Sequence, residues 1–379
     1  MSFWKSKPLQ VNVGNCKHIV SRQQLFDNTK NEMSTMSVQL DYTIITDVLE
    51  DCIIKFINDN YDYSDSDIQL VYSESLVRHF IGPHSVSLAF QPKSKPNVMI
   101  GLVIGSVKDV VVQNTLHKTI EVNFLCLRKE LRSMKVSSFM IDALTLKCLE
   151  LFPDVSTAFY TVGKKLVAPH FSCKEYLHRP LQVDKLVAAG ILSKEYLNGK
   201  LVNKYETFSC NPVNYVIHYV HDNKTVDPDY VSKLTVSLES YRSSVYDIYD
   251  VKSDSEVKSL LQSKCFHNFV IKNSNGNSES DFISLFQLDS VSKTTGAICR
   301  NGYLYCASMQ SSDSHYQKNI IEIVSQYCKV HDILDMITVM GDFSSMTSKY
   351  LKGAGKLYYY FFNLDLCATE CFKNGLITI

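Results

Sequence analysis

The stretch IEVNFLCLRKELRSMKVSSFMIDALTLKCLELFPDVSTAFYTV, residues 120–162, carries two hydrophobic periods in succession. Residues 120–127 are β-branched and apolar in the manner of a strand. After a basic loop, Val136, Phe139, Met140, Ala143, Leu144, Leu146 and Leu149 recur near helical spacing until Pro153 ends the pattern. Residues 157–162 return to a short β-branched and aromatic segment. The order strand, loop, helix, strand predicts a βαβ-like unit.

Working outward, residues 85–90, 98–104 and 107–112 read as further strands, broken by Pro92, Pro96, Gly105 and Asn114. Downstream the same grammar returns. Residues 266–271 and 282–288 flank Asn275-Gly276, a hairpin-turn signal inside a longer loop, and 303–309 read as a strand. Ile320, Ile321, Val324, Tyr327 and Cys328 mark one helix face, after which 333–340 and the aromatic run 357–364 return to strand. The repeated pattern predicts two similar α/β halves, joined near residues 200–212 and sharing one saddle-like sheet.

Composition bounds the rest. A chain of 379 residues suits two or three domains, or one fused unit, at roughly 150 residues per domain. Lys+Arg and Asp+Glu both number 39, so no global charge drives it toward nucleic acid or an anionic membrane. With 45% hydrophobic and 21% charged residues, a disordered or polyelectrolyte function is excluded. The 12 cysteines form no CxxC pair and the start shows no secretory core, so free thiols and a cytoplasmic location are expected. The longest apolar run, near 98–104, falls short of the roughly 18 residues that span a bilayer.

Several groups could carry chemistry. Arg132-Ser133-Met134-Lys135-Val136-Ser137 opens the predicted helix, where unpaired N–H groups and added cations suit a pyrophosphate; a solvated basic loop has the same composition. No GxGxxG or Walker pattern is present. If the strand ending in Asn123-Phe124-Leu125-Cys126-Leu127 splays from its neighbour, the amides of Phe124 and Leu125 form an oxyanion hole; if not, it is a plain core strand. Cys126 has apolar neighbours and no histidine nearby in sequence, which reads as an inert thiol. Residues 58–75 hold several carboxylates and no Lys or Arg, suiting a basic peptide or a solvated loop. His218, His221 and Cys210 lack a fourth ligand, so no metal is expected.

The block EVNFLCLRKELRSMKVSS, residues 121–138, resembles the signature of the N-myristoyltransferases, whose fold is two GNAT-like halves related by a pseudo-two-fold axis. Further matches are Phe3-Trp4 with Pro8, Asn58-Asp59-Asn60-Tyr61, Tyr160-Thr161-Val162-Gly163, His178-Arg179-Pro180-Leu181, Asn275-Gly276 with Asp281-Phe282, and Gly375-Leu376. The resemblance implies a monomeric enzyme that moves myristate from myristoyl-CoA, a co-substrate and not a resident cofactor, to the N-terminal glycine amine of a protein or peptide. Residues 1–204 would bind myristoyl-CoA; residues 205–379 would bind the peptide and supply the C-terminal carboxylate.

The resemblance further implies that Phe3, Trp4, Asn60, Cys126, Leu127, Arg132, Ser133, Lys135, Val136 and Ser137 hold the acyl-CoA, while Phe124 and Leu125 polarise the thioester. The carboxylate of Ile379 would act as base with Thr161 as hydroxyl relay. Tyr61, Asp62, Asp65, Asp67, Gly163, Tyr176, His178, Gly353 and Gly355 would contact the peptide. The chain departs from the family at Met134, where Lys is usual, at Ser138 for Pro, at Leu304 for a small hydroxyl residue, and at Thr338 where an acid is common. Weaker CoA binding and a diverged acceptor pocket are expected. A GNAT-like acyltransferase using a shorter acyl-CoA, or a non-catalytic acyl-CoA or peptide binder, is the alternative.

Overall fold

The computed structural model describes residues 7–9, 16–37, 42–46, 48, 50–61, 67–132, 134, 136–208, 214–222, 224–274, 280–341, 349–366 and 373–378. The first elements are β1 (Lys17–His18), α1 (Arg22–Ser37), β2 (Tyr42–Ile45), α2 (Glu50–Asn60), β3 (Ile68–Val71), α3 (Glu74–Ile81), β4 (Ser85–Pro92), β5 (Gly101–Val112) and β6 (Thr115–Leu127). They are followed by α4 (Val136–Leu151), β7 (Ala158–Val162), β8 (Ser172–Pro180), α5 (Val183–Ala188) and α6 (Gly199–Glu206). Then come β9 (Tyr215–Val220), α7 (Pro228–Val245), β10 (Ile248–Asp250), α8 (Asp254–Gln262), β11 (Phe266–Asn273), β12 (Ser280–Gln287), β13 (Asp289–Ser292) and β14 (Ile298–Cys299). The last are β15 (Asn301–Ser308), α9 (Ser314–Val330), β16 (Met336–Met340), β17 (Leu351–Phe362) and β18 (Leu364–Asp365).

Both expected βαβ units are present. β6 pairs parallel to β7 across α4, and β15 pairs parallel to β16 across α9. Along the main sheet the order is β2-β4-β5-β6-β7-β17-β8-β16-β15-β12-β11-β9, with β10 on β5. Read from either end, each half runs through antiparallel strands to its parallel pair, so the sequence repeat is a topological one. The centre is an exchange: β8 follows β7 in sequence but lies on β16, while β17 follows β16 but lies on β7. β8 and β17 then pair with each other and make one mixed sheet of the two halves.

Helices cover both faces. On one, α4 buries Val136, Phe139, Met140 and Leu144 against Phe90, Val103 and Ile120, and Leu149 against Leu25 and Phe362; each such side chain contributes roughly 1.5–3 kcal/mol. On the other, α2, α3, α7 and α8 pack on Leu102, Ile104, Phe124 and Phe266.

One expected break is absent. Residues 101–112 form one strand through Gly105, because a Cβ there would lie 2.9 Å from Ile120 Cγ2 and 3.2 Å from Leu144 Cδ1. The glycine permits close approach of α4 and does not end the strand. The true reversal is Gln113-Asn114, both at positive φ (47° and 66°), a two-residue turn matching strand twist. Asn275-Gly276 lies outside the described residues. Among those described, no helix is long and apolar enough to cross a membrane, and the cysteines are free thiols.

Candidate active site

The ladder between β5 and β6 slips where the sequence reads NFLC. Leu102 pairs with Cys126 and Ile104 with Asn123, so Phe124 and Leu125 together oppose Val103. Phe124 adopts φ 50°, left-handed backbone that a non-glycine residue takes only under constraint. The constraint is its ring, fully buried and edge-on to Tyr61 at 5.3 Å and Tyr72 at 6.1 Å. On the opposite edge, parallel pairing with β7 ends at Val122. The expected splay therefore exists on one side as a bulge and on the other as an ended ladder. Leu125 is 38% exposed at this point. Cys126 is buried in apolar surroundings that push its thiol up to about 12, so it is an inert core group.

Beyond the bulge the chain turns toward α4. Arg132 ties the turn together, its Nε donating to Leu127 O at 3.0 Å and its Nη2 to Asn60 O at 2.7 Å. Asn60 is the last residue of α2, so the guanidinium also sits at a helix C-terminus, where a cation is favoured. Arg128 Nε reaches Met99 O at 2.8 Å. Val136 starts α4 fully buried, Ser137 is half-buried, and Met134 is 56% exposed. Phe3, Trp4, Ser133 and Lys135 lie outside the described residues. Lys7, close to Phe3 and Trp4 in sequence, pairs with Glu32 of α1 and buried Asp142 of α4. Burial pushes the Asp142 carboxyl up to about 6 despite Lys7.

Thr161 on β7 meets the chain's far end. Its Oγ1 lies 2.9 Å from Oγ1 of buried Thr378. Residues 373–378 run through the interior: Gly375 N donates to Ile248 O, and Arg242 Nη2 donates to Gly375 O. Leu376 O accepts from Lys174 Nζ at 2.7 Å and Tyr359 Oη at 3.2 Å. Ile379 itself lies outside the described residues. Lys174 is 2% exposed and was not singled out from sequence. Strand alternation held the signal, since Lys174 shares a face of β8 with Tyr176 and His178.

That face continues into a glycine bulge. Leu351 and Lys352 pair with His178 and Leu177, the ladder resumes at Lys356 with Glu175, and Gly353, Ala354 and Gly355 oppose Tyr176 alone. A Cβ on Gly353 would lie 2.8 Å from His178 Nε2 and 3.0 Å from Tyr176 Cβ, which explains the glycine. Thr338 Oγ1 donates to Asn301 Oδ1 at 2.9 Å, so it accepts from His178 Nδ1 at 2.8 Å. This network assigns the His178 proton to Nδ1 and leaves Nε2 an acceptor beside the bulge. Burial holds the imidazole below its usual pKa and pushes Tyr176 up to about 12. Glu175 accepts from Lys352 at 2.6 Å and Lys356 at 2.8 Å.

The acidic segment behaves differently from the rest. Asp67 is committed to a turn, accepting from Ser292 Oγ and Thr294 Oγ1, both at 2.6 Å, and Thr294 N at 2.9 Å. These bonds hold its carboxyl below the usual range. Asp62 and Asp65 lie outside the described residues. Tyr61 packs on Phe124, and Gly163 is an exposed loop residue following β7. Tyr176, His178, Gly353 and Gly355 are thus brought together, while Asp67 serves the β13–β14 turn.

These features define a two-halved mixed α/β fold with a bulged strand leading into a helix N-terminus. The fold is that of Saccharomyces cerevisiae N-myristoyltransferase with bound myristoylCoA, matched at TM-score 0.78 and 15% identity over 100% of this chain and 99% of that one. Residues 19–173 match the model of the family Myristoyl-CoA:protein N-myristoyltransferase, N-terminal domain. A probable glycylpeptide N-tetradecanoyltransferase of Caenorhabditis elegans is 28% identical over 284 residues, 72% of this chain and 60% of that protein. A glycylpeptide N-tetradecanoyltransferase of Aspergillus fumigatus is 24% identical over 71% of this chain and 57% of its own length. The chain thus spans somewhat over half the length of these two relatives.

Proposed function

We propose that the chain transfers myristate from myristoyl-CoA to the N-terminal glycine amine of a protein or peptide. The observation that carries this reading is the Phe124–Leu125 bulge, where β6 slips against β5 after its pairing with β7 has ended, just before α4. Backbone amides released from a ladder are preorganised donors for a developing oxyanion. The basic loop before α4, with the helix N-terminus behind it, suits the CoA phosphates. Leu25, Ile120, Val122, Leu144, Cys148 and Leu149 surround a small apolar cavity of about 40 Å³ between α1, α4, β6 and β7, room for about one methyl-sized group.

On the acceptor side, the terminal carboxylate takes a proton from the glycine ammonium, and the hydroxyl pair of Thr161 and Thr378 serves as relay. The amine attacks the thioester carbonyl, the oxyanion collapses, and CoA leaves as thiol with a proton from the amine. Tyr176, His178 Nε2 and the Gly353–Gly355 bulge suit an extended peptide, the imidazole accepting from a peptide N–H or hydroxyl. A thiol-release assay with myristoyl-CoA and a glycine-initiated peptide tests the reading; absence of peptide-dependent CoA release would refute it. Acetyl-, palmitoyl- and myristoyl-CoA compared as donors separate a fourteen-carbon ruler from a shorter one, since each buried CH2 is worth ~0.8 kcal/mol.

A further inference from the structure

A second cavity, about 790 Å³, lies on the hairpin-turn side of the Phe124 bulge, bounded by α3, β5, the segment after α4, and α8. Its size falls in the range of small-molecule sites, about 300–1,000 Å³. Ile81, Val107, Phe152, Val155, Val257 and Leu260 supply apolar wall. The polar floor is His79, Lys108, Lys252 and Tyr305. Tyr305 is the extra residue of β15 where β12 shifts register, Ser284 pairing with Cys306 and Leu285 with Leu304. It is therefore the second half's counterpart of the Phe124 bulge.

The floor presents donors. Lys252 Nζ donates to Tyr305 Oη at 2.7 Å. The same hydroxyl lies 3.2 Å from His79 Nε2, and the direction of that bond follows the imidazole tautomer. Lys252 also pairs with Asp250, which Arg242 shares, and Lys108 reaches Glu256 Oε1 only at 3.5 Å. Glu256 Oε2 is occupied by the Ser253 cap of α8. Behind Lys108 lies Glu121, buried and pushed up by desolvation, with Oε1 lacking a hydrogen-bond partner. Arg78, His84, Asp109, Lys118, Asp154 and the thiol of Cys306 complete the charged and titratable lining.

We propose that this cavity binds an organic carboxylate with an apolar body, the carboxylate resting on the Lys108 and Lys252 ammonium groups and the body along the Val107 and Val257 walls. Donors at the floor and hydrocarbon at the sides match an acceptor-only head on an apolar chain, and discriminate against an alcohol or an ammonium. Across Val155, which lines both, lies the small apolar cavity between α1, α4, β6 and β7.

Equilibrium dialysis of radiolabelled decanoate against the full chain tests it, with decanol and decyltrimethylammonium as competitors. The expected result is one saturable equivalent, weakened about tenfold or more by Lys252→Met, the loss expected for a charge-assisted hydrogen bond, with the competitors at least tenfold weaker. Ser259→Trp, an exposed lining position, should block the same equivalent without lowering the melting temperature. It decides the matter should Lys252→Met fail to fold. No saturable binding, binding indifferent to Ser259→Trp, or equal binding of the two competitors would overturn the proposal.

Discussion

The two βαβ units share a plan and differ where strand meets helix. In both, the strand before the helix gains one residue over its antiparallel partner, at Phe124–Leu125 in β6 and at Tyr305 in β15. The helices then start differently. At α9, Asp313 fills the N-terminus, its Oδ1 accepting from His315 N at 3.0 Å and Tyr316 N at 2.9 Å. At α4 the first turn carries no acidic residue and the preceding loop brings Arg128 and Arg132. A carboxylate at a helix N-terminus satisfies its donors and repels a second anion; a basic approach does the reverse. One half is thus closed to phosphate and the other is where the proposed function puts it, through the identity of a few residues on the same scaffold.

The largest effect expected is at the point where the halves interlock. Removing Thr378 and Ile379 takes away the hydroxyl partner of Thr161 and the proposed base, and turnover should fall ~10²–10⁴-fold. Binding of myristoyl-CoA, measured by calorimetry, should survive; lost binding would show that the end segment supports the first half's site as a whole.

Next comes acid sensitivity in the second half. Burial holds His267 down at about 4, opposed by its bond to Gln287. Its folded pKa lies below the unfolded value near 6.5, so the unfolded chain binds more protons between them. Its stabilisation is complete above about pH 6.5 and is lost as pH falls toward 4, up to about 3 kcal/mol. Melting temperature followed from pH 7.5 to 4.5 should fall, and His267→Gln should flatten that slope; an unchanged slope would assign the acid sensitivity elsewhere.

Smaller changes address the helix starts directly. Arg132→Met breaks the tie between β6 and α2 and should weaken myristoyl-CoA binding about tenfold. At Met134, Lys should tighten and Asp loosen that binding by about two- to fivefold, the Asp variant imitating Asp313; equal affinities would mean the loop is not the phosphate site. Asp313→Ala should cost about 1 kcal/mol of stability by denaturant titration and leave turnover untouched.

Much of this was legible from local pattern. The apolar spacing from Val136 to Leu149 reads as the helix it is, and NFLC was marked as the place where a strand would have to splay. The failures were of two kinds. Gly105 resembles a break, but its reason lies in Ile120 and Leu144, which come beside it only after folding. Lys174 looks like a surface residue of β8 until the chain's last residues lie over it. Asp67 is the converse: its acidic neighbourhood suggests a peptide contact, while Ser292 and Thr294 take up the carboxylate.

By itself, the sequence determined which segments are strand and which helix, that the pattern occurs twice, and that one copy carries a basic helix start. These follow from side-chain period, backbone propensity and charge, properties set by near neighbours along the chain. Only the tertiary structure decided that β8 and β17 change places, that Thr378 lies against Thr161, that the His178 proton sits on Nδ1, and that a donor-lined cavity forms beneath Tyr305. Each depends on groups far apart in sequence whose pairing and desolvation exist only once the two halves share one sheet.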